Sequence, residues 1–287
     1  MGLKTVVLNS ERMNYDGKLD LSVLSSEVKE YASTEQDQIL ERVQGMDVVV
    51  TKEMPVDGDT IARFPDSVQL ICEAGTGYNN IDIEAARARG IMVCNIPAYS
   101  TERVAHTAIM MILNLSSSMQ IQQAMLARGD RSNFTKCMQV SHVEVNGKVL
   151  GVVGAGTIGR EVIKVAQALG MKVLAYTRTP RADEDNLKYV SLEELLKQSD
   201  YISLHCPLTP QTRHMINKET IAMMKPTAYI INTGRGALID EPALIEALKE
   251  GRIAGAGLDV QETEPQVQDN PLYDMPNVIM TPHTRAK

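Results

Sequence analysis

Aromatic residues and cysteines are scarce in this sequence of 287 residues. It contains no tryptophan, two phenylalanines and four cysteines, which stand far apart at positions 72, 94, 137 and 206. Their spacing contains no C-x-x-C and no combined cysteine and histidine pattern, which excludes a disulfide-stapled miniprotein and a zinc module. We therefore expect reduced thiols, no bound metal and a cytoplasmic location.

Clusters of positive charge and long apolar runs are also missing. The 29 lysines and arginines face 36 aspartates and glutamates, a net charge of −7, and no local basic cluster would attract nucleic acid or an anionic membrane. The longest apolar stretch, residues 108–113, is too short to span a bilayer, and the apolar run at the N-terminus is too short for a signal peptide. Neither a nucleic acid nor a membrane is an expected partner.

From residue 148 onward, short apolar runs alternate with amphipathic helical patterns. We interpret the runs as buried parallel strands, at residues 149–153, 172–176, 201–205, 228–232, 256–259 and 278–280. Strands that alternate with helices in this way predict an α/β fold with a doubly wound parallel sheet, the Rossmann arrangement.

The N-terminal part repeats this pattern less clearly. It has strand-like runs at residues 5–8, 48–51, 70–72 and 91–94, which predict a second, smaller doubly wound domain of the flavodoxin-like type. A long helix is predicted at 100–117, followed by irregular chain at 120–146. We place the domain boundary at the start of that helix, which gives domains of residues 1–99 and 100–287.

A glycine-rich motif links the first strand of the larger domain to its first helix. Gly154, Gly156 and Gly159 form G-x-G-x-x-G between that strand and a predicted helix. There the first glycine permits a tight turn, the second lets the backbone approach a pyrophosphate, and the third allows close packing of helix on strand. The helix N-terminus adds unpaired amides for the anion. The motif therefore predicts that residues 100–287 bind NAD or NADP.

The tip of the following strand bears on the choice between these dinucleotides. An Asp or Glu there would accept hydrogen bonds from the ribose 2′-hydroxyl, but the segment 175–181 has Thr177, Arg178 and Arg181 and no carboxylate. Guanidinium groups suit a 2′-phosphate. We predict a preference for NADP(H), with NAD(H) as the alternative cofactor; the competing interpretation is that both arginines belong to a solvated loop.

Three further polar residues, Arg235, Glu264 and His283, follow predicted strands of the larger domain. Because the carboxyl ends of parallel strands meet at one edge of a sheet, we expect these residues to converge. Arginine can bind the carboxylate of a 2-ketoacid and polarise its carbonyl, and histidine can protonate the developing alkoxide, helped by a carboxylate on its other ring nitrogen. Each alone has an ordinary alternative, a loop charge or a strand-end imidazole, but together they predict a hydride-transfer site.

Several long motifs resemble, in order, those of the D-isomer-specific 2-hydroxyacid dehydrogenase family over nearly the whole chain. They occupy residues 74–82, 152–159, 205–209, 212–214, 232–240, 257–260 and 281–283, together with Glu264. The chain looks most like hydroxypyruvate/glyoxylate reductases (glycerate dehydrogenases) and phosphoglycerate dehydrogenases. The resemblance implies an NAD(P)-dependent oxidoreductase acting on a small anionic 2-ketoacid or D-2-hydroxyacid, and a homodimer built on the helix that begins at residue 100.

The resemblance also implies roles for individual residues. Arg235, Glu264 and His283 are the expected catalytic set, while backbone amides near Thr76 and Gly77 in the substrate domain, residues 1–99, hold the substrate carboxylate. The expected cofactor contacts are Gly154, Gly156, Thr157, Ile158, Gly159, Thr177, Arg178, His205, Cys206, Pro207, Thr233, Gly234 and Asp259.

The sequence departs from the family pattern at a few positions. Asn79 stands where aspartate is common, His106 where an acidic or amide residue is usual, and Thr177 in place of the aspartate of NAD-dependent members. The sequence also ends four residues after His283, where relatives continue through a loop and a helix that returns to the substrate domain. We expect that return helix to be missing.

Two other interpretations stay open. The same fold serves as a transcriptional corepressor that senses nicotinamide nucleotides and keeps the arginine, glutamate and histidine. The other interpretation is an inactive, C-terminally truncated form that still binds the cofactor. Formate dehydrogenase chemistry is disfavoured, because that branch has glutamine where Glu264 stands.

Overall fold

The chain divides into two compact units, each a contiguous stretch of sequence. A computed structural model describes residues 2–179, 181–264 and 268–283. The first unit is Met1–Tyr99 and the second is Ser100–Lys287. The four residues after His283 lie outside the described ranges.

The first unit is built on a five-stranded sheet. Its strands are β1 (Lys4–Val7), β2 (Glu27–Glu30), β3 (Val48–Thr51), β4 (Leu70–Glu73) and β5 (Met92–Asn95). They are arranged in the order β2-β1-β3-β4-β5, and every pairing is parallel. Valines dominate β1 and β3, as suits central strands that are covered on their faces. This strand order is the flavodoxin-like one.

Three short helices cover one face of this sheet: α1 (Ile39–Arg42), α2 (Gly58–Ala62) and α3 (Ile83–Ala88). Their buried side chains pack with alternate residues of the strands, such as Val6, Val49 and Ile71, in one apolar core. Asp57 and Asp82 begin α2 and α3 by accepting hydrogen bonds from backbone amides of the first turn. The helices therefore hold the central strands, while β5 lies at an edge of the sheet.

The second unit is built on a seven-stranded sheet. Its strands are β6 (Val149–Val153), β7 (Lys172–Tyr176), β8 (Leu187–Tyr189), β9 (Tyr201–Leu204), β10 (Tyr229–Asn232), β11 (Gly255–Leu258) and β12 (Val278–Met280). The order is β12-β11-β10-β9-β6-β7-β8, again with parallel pairings throughout. The chain moves outward from β6 in one direction and then from β9 in the other, so the switch point lies between β6 and β9. The prediction of an α/β fold with two doubly wound parallel sheets is confirmed.

The second unit also contains helices, some of which cover the two faces of the larger sheet. They are α4 (Thr101–Ser116), α5 (Met119–Ala127), α6 (Ser132–Thr135), α7 (Thr157–Ala168), α8 (Leu192–Gln198), α9 (Lys218–Ile221) and α10 (Glu241–Lys249). One apolar core joins α4 and α7 to the sheet, and a second joins α8, α9 and α10 to the opposite face. Within the described ranges, no helix combines the length and apolar character needed to cross a membrane.

The long helix α4 lies unusually close to the sheet. Ala105, Ala108, Met111 and Ile112 are fully buried against it. A Cβ atom placed on Gly257 in β11 would lie 2.9 Å from Met111 Cβ, closer than real side chains approach. Because glycine at position 257 has only a hydrogen atom as its side chain, α4 can pack directly onto the strand.

Some elements were not predicted from the sequence. The strands β2 and β8 are additional, and the prediction of irregular chain at 120–146 is wrong where α5 and α6 form. The reason is burial: no residue of α5 is buried, and β2 is an edge strand with mostly exposed side chains. Neither segment carries the apolar pattern by which helices and strands are recognised.

Candidate active site

The glycine motif forms a compact turn between β6 and α7. Gly154 has φ of +100°, and a Cβ atom there would lie 2.6 Å from the amide nitrogen of Cys206. A Cβ atom on Gly159 would lie 2.1 Å from the carbonyl oxygen of Gly154. Only glycine satisfies both the backbone angle and these close approaches. The turn thus brings the ends of β6 and β9 and the start of α7 together at the switch point of the sheet.

The start of α7 is shaped to receive an anion. Gly156 is the residue before the first helical turn; no side chain caps the helix, and a Cβ atom at this glycine would meet no atom within 4 Å. The first amides of a helix have no intrahelical acceptor and carry a partial positive charge. Thr157 is exposed and Ile158 is half-buried beside this open space. These features fit a pyrophosphate, and the chain's own residues would hold it through backbone amides.

The tip of β7 carries Thr177, half-buried, and Arg178, exposed. Thr177 Oγ1 donates to the carbonyl oxygen of Thr179 at 2.7 Å. Within the described part of the chain, no hydrogen bond or ion pair engages the Arg178 guanidinium. On the same loop, Glu184 is bound by both terminal nitrogens of Arg160 at 2.7 and 2.8 Å. Arg178 is therefore available for a ligand.

The turn after β9 contains His205, Cys206 and Pro207. His205 Nε2 lies 2.8 Å from Ser203 Oγ, and burial lowers the pKa of His205 to about 4. Burial raises the pKa of Cys206 to about 11, and its thiol lies 3.6 Å from Met215 Sδ. At neutral pH the imidazole is uncharged and the thiol is protonated. These side chains shape the turn against Gly154 and do not supply an acid or a nucleophile.

Arg235 follows β10 in a turn that Asn232 stabilises. Asn232 Nδ2 donates to the carbonyl oxygen of Arg235 at 2.9 Å, and its Oδ1 accepts from the amide of Gly234 at 3.1 Å. Arg235 is half-buried, and its Nη1 donates to the carbonyl oxygen of Gly234 at 2.9 Å. The hydroxyl of Thr233 is buried and has no partner among the described residues. An unsatisfied buried hydroxyl of this kind fits a site completed by a ligand.

Hydrogen bonds join the ends of β10, β11 and β12. The amide of Asp259 donates to the carbonyl oxygen of Asn232 at 2.9 Å, and the amide of Thr281 donates to that of Leu258 at 3.0 Å. The Thr281 hydroxyl also donates to Asp259 Oδ1. Three neighbouring strands thus end at the same edge, and Arg235 and His283 follow the two outer ones.

His283 and Glu264 form a close pair at this edge. His283 Nδ1 lies 2.9 Å from Glu264 Oε2. The side chains are 23% and 36% exposed, so the pair is open to a small molecule. His283 has φ of +47°, a left-handed conformation that is uncommon for a residue with a side chain. With Nδ1 directed to the carboxylate, Nε2 is the ring nitrogen left to exchange a proton with a substrate.

A second set of residues, which sequence reasoning missed, supports the loop that carries Glu264. Glu262 Oε1 lies 2.6 Å from His214 Nε2 and 3.2 Å from Arg213 Nη2, and the amide of Glu262 donates to Glu241 Oε2 at 3.1 Å. A Cβ atom on Gly236 would lie 1.8 Å from the carbonyl oxygen of Gln261. The turn after Arg235 therefore rests directly on the loop before Glu264. Residues 212–214 belong to a family motif, and that was the one signal pointing to them.

Thr76 and Gly77 lie in the first unit, in the loop after β4. Asn95 Nδ2 donates to the carbonyl oxygen of Thr76 at 2.7 Å, and the amide of Ile96 donates to that of Gly75 at 2.9 Å. The loop is therefore tied to the end of β5. The amides of Thr76 and Gly77 themselves have no acceptor in the ranges that the structure covers. Two adjacent free amides can bind a carboxylate.

The residues predicted to contact the cofactor lie in the second unit at the edge where its strands end. The glycine turn, residues 154–159, follows β6, and Thr177 follows β7. The turn at residues 205–207 follows β9, Thr233 and Gly234 follow β10, and Asp259 follows β11. No group of three or more His, Cys, Asp or Glu residues is placed to hold a metal ion within residues 2–179, 181–264 and 268–283. The candidate site thus offers backbone amides, the guanidinium groups of Arg178 and Arg235, and one imidazole–carboxylate pair.

Comparison with known proteins agrees with the fold. Residues 109–284 match the family model described as D-isomer specific 2-hydroxyacid dehydrogenase, NAD binding domain. The chain is 41% identical over 254 residues to a hydroxypyruvate reductase of Blautia hydrogenotrophica, covering 87% of this chain and 79% of that protein.

Two solved structures illustrate the similarity in three dimensions. One is D-lactate dehydrogenase from Aquifex aeolicus complexed with NAD and lactic acid, with a TM-score of 0.82 and 32% identity, covering 98% of this chain and 88% of that one. The other is an NADPH-dependent glyoxylate/hydroxypyruvate reductase from Sinorhizobium meliloti in complex with NADP and malonate, with a TM-score of 0.83 and 28% identity, covering 98% and 86%. The chain therefore belongs to the D-isomer specific 2-hydroxyacid dehydrogenases, oxidoreductases that move a hydride between a nicotinamide nucleotide and a 2-hydroxyacid.

Proposed function

We propose that this protein reduces a small anionic 2-ketoacid of the hydroxypyruvate or glyoxylate type, with NADPH as its preferred cofactor. The observation that carries the proposal is the 2.9 Å pair of His283 and Glu264, on the same sheet edge as the glycine turn and Arg235. The names of similar proteins support the substrate class.

Each site residue has a distinct role in this proposal. The reduced nicotinamide, when bound, supplies the hydride. Arg235 binds the substrate carboxylate and polarises the carbonyl through charge-assisted hydrogen bonds. In the first unit, the amides of Thr76 and Gly77 are the proposed hydrogen-bond donors to a carboxylate. His283 donates a proton from Nε2 to the carbonyl oxygen as negative charge develops on it. Glu264 holds the ring in orientation through Nδ1.

The preference for NADP(H) rests on the tip of β7. The expected acidic residue is replaced by Thr177, and the exposed Arg178 guanidinium follows directly. A planar guanidinium can make paired hydrogen bonds to a 2′-phosphate, whereas an NAD-selective site needs a carboxylate for the ribose hydroxyls. The pyrophosphate is assigned to Gly154, Gly156, Thr157, Ile158 and Gly159. The remaining contacts are assigned to His205, Cys206, Pro207, Thr233, Gly234 and Asp259.

Replacing Arg178 with alanine tests the cofactor preference. We expect the Kd for NADPH to rise about tenfold and the Kd for NADH to stay nearly unchanged, because only NADPH loses a charge-assisted phosphate contact. Both constants are measured by titrating the nucleotide against the purified variant. Arg131→Ala, which removes an exposed arginine just before α6, is the matched control and should change neither. Equal losses for the two nucleotides would show that Arg178 does not select the phosphate.

We also propose a homodimer that works in the cytoplasm. The helices α4 to α6 expose large apolar side chains, namely Met110, Leu113, Met119, Leu126 and Phe134. Exposed apolar groups concentrated on one part of a protein are typical of an interaction surface. Four free cysteines are in keeping with a reducing compartment. Light scattering of the purified chain tests the dimer, and a monomer mass at micromolar concentration would overturn it.

An assay with a panel of ketoacids tests the function. Hydroxypyruvate, glyoxylate, pyruvate and 3-phosphohydroxypyruvate are each added to the protein with NADPH or NADH, and loss of the reduced nicotinamide absorbance is followed. We expect turnover with hydroxypyruvate or glyoxylate, and a higher kcat/KM with NADPH. Tight cofactor binding without turnover of any ketoacid would favour the nucleotide-sensing, corepressor-like protein or the inactive form instead.

A further inference from the structure

Two cysteines of the first unit lie side by side on neighbouring strands. Cys72 in β4 and Cys94 in β5 are register partners in a parallel pairing. Register partners of adjacent strands point to the same face of the sheet, with backbones about 4.8 Å apart. Disulfides join cysteines whose Cα atoms are roughly 4.4–6.8 Å apart. The backbone therefore already places the two residues within bonding range.

The surroundings of the two thiols differ. Cys94 is exposed, on a strand at the edge of its sheet, whereas Cys72 is half-buried. Burial, with the neighbouring Cys94 thiol, raises the pKa of Cys72 to about 12. Cys72 is therefore protonated at neutral pH, and Cys94 is the thiol that meets a dissolved oxidant first. As β5 is paired on one side alone, it has room to adjust.

We propose that Cys72 and Cys94 are a reversible oxidation site, which closes to a disulfide under hydroperoxides and weakens substrate binding. Cys94 sulfur attacks the peroxide, the O–O bond breaks, and a sulfenic acid and one molecule of water are formed. Cys72 sulfur then attacks the sulfenic sulfur, forming the S–S bond as the hydroxyl leaves and combines with the thiol proton in a second water. In total, two thiols and one hydrogen peroxide give one disulfide and two waters.

The position of this pair connects it to the substrate loop. The next register pair along β4 and β5 is Glu73 with Asn95, and Asn95 holds the carbonyl of Thr76 at 2.7 Å. The most common Cα separation in a disulfide is about 5.5–6 Å, compared with about 4.8 Å between paired strands, so closing the bond should move the strands apart by about 1 Å at this point. That movement displaces the loop whose free amides at Thr76 and Gly77 bind the carboxylate, a consequence that rests on the proposed function. The nucleotide-binding residues, all in the second unit, are not part of this strand pair.

Oxidation of the whole chain with hydrogen peroxide tests the proposal. After digestion, mass spectrometry should find the peptides of Cys72 and Cys94 joined with the loss of two hydrogens. The KM for the best ketoacid should rise about tenfold or more, because misplacing substrate-positioning groups by about 1 Å can cost up to about 10²-fold. The Kd for NADPH should stay within about twofold of its initial value, and dithiothreitol should restore the KM.

Two variants separate this site from other oxidation. Cys94→Ser should abolish both the joined peptides and the rise in KM, whereas Cys137→Ser, at an exposed cysteine of the second unit, should keep both. Failure to form the Cys72–Cys94 bond, or its formation with an unchanged KM, would overturn the proposal. The mass measurement needs no turnover. If the joined peptide forms in a chain that reduces no ketoacid, the oxidation site itself is supported. The proposed function and the effect on substrate binding are then both refuted.

Discussion

Replacing His283 with alanine is expected to lower kcat for ketoacid reduction by about 10³-fold, while the Kd for NADPH changes by less than about twofold. In the proposed mechanism the imidazole donates the proton that the carbonyl oxygen needs. Its partner Glu264 is not placed to take over, because its carboxylate lies 2.9 Å from Nδ1, on the side of the ring away from the Nε2 that would face the substrate. The nucleotide contacts belong to other strand ends and stay intact. Steady-state rates and a nucleotide titration on the same preparation measure the two quantities.

A matched histidine variant shows whether the loss is specific. His142→Ala removes an exposed imidazole of the second unit and should leave kcat unchanged. His205 cannot substitute as the acid, since its burial keeps it neutral, with a pKa of about 4. Wild-type turnover in the His283→Ala protein would remove this residue from the mechanism.

Replacing Arg235 with glutamine is expected to lower kcat/KM by about 10³-fold. In the proposed site the change removes two charge-assisted hydrogen bonds to the substrate, worth about 1.5–3 kcal/mol each, and about 1.4 kcal/mol corresponds to a factor of ten. Part of the loss should appear in kcat, because polarisation of the carbonyl strengthens as charge develops. Kinetics over a range of ketoacid concentrations separate kcat from KM.

Two further arginine variants control this result. Arg235→Lys keeps the charge but loses the planar pair of donors, so it should recover a small part of the activity. Arg252→Gln removes a half-buried arginine that pairs with Glu246 and Glu250 at 2.6 and 2.7 Å, and should leave kcat/KM intact. Since Arg235 also donates to Gly234, the melting temperature of Arg235→Gln should be compared with that of the Arg252 variant. Near-normal kcat/KM in Arg235→Gln would assign substrate binding to other residues.

The parts of the fold that sequence predicts well are those governed by local sterics and burial. Gly154 and Gly159 could be interpreted correctly because a turn with positive φ and close backbone packing excludes every other residue. The core strands of the second unit were found because both of their faces are covered, which leaves continuous apolar runs. The strand ends then indicated where polar residues would gather.

The rest depends on pairings between distant residues, for which no local pattern exists. His214 and Glu262 meet at 2.6 Å only because the loops after β9 and β11 fold onto each other. The register that sets Cys72 beside Cys94 is likewise a property of two paired strands and not of either one. Edge strands such as β2 are hard to predict from sequence. Their side chains are mostly exposed and can be polar, so the alternating apolar pattern of a strand is lost.

The close packing of Met111 on Gly257 has a consequence for synthesis on the ribosome. The apolar stripe of α4 emerges early, but β11, against which it rests, follows only after most of the second unit has been translated. At usual elongation rates the delay is on the order of ten seconds. During this interval the part of the stripe around Met111 lacks the strand on which it packs, so newly made chains should depend on chaperones until β11 arrives. A bulkier residue at position 257 would prolong that dependence.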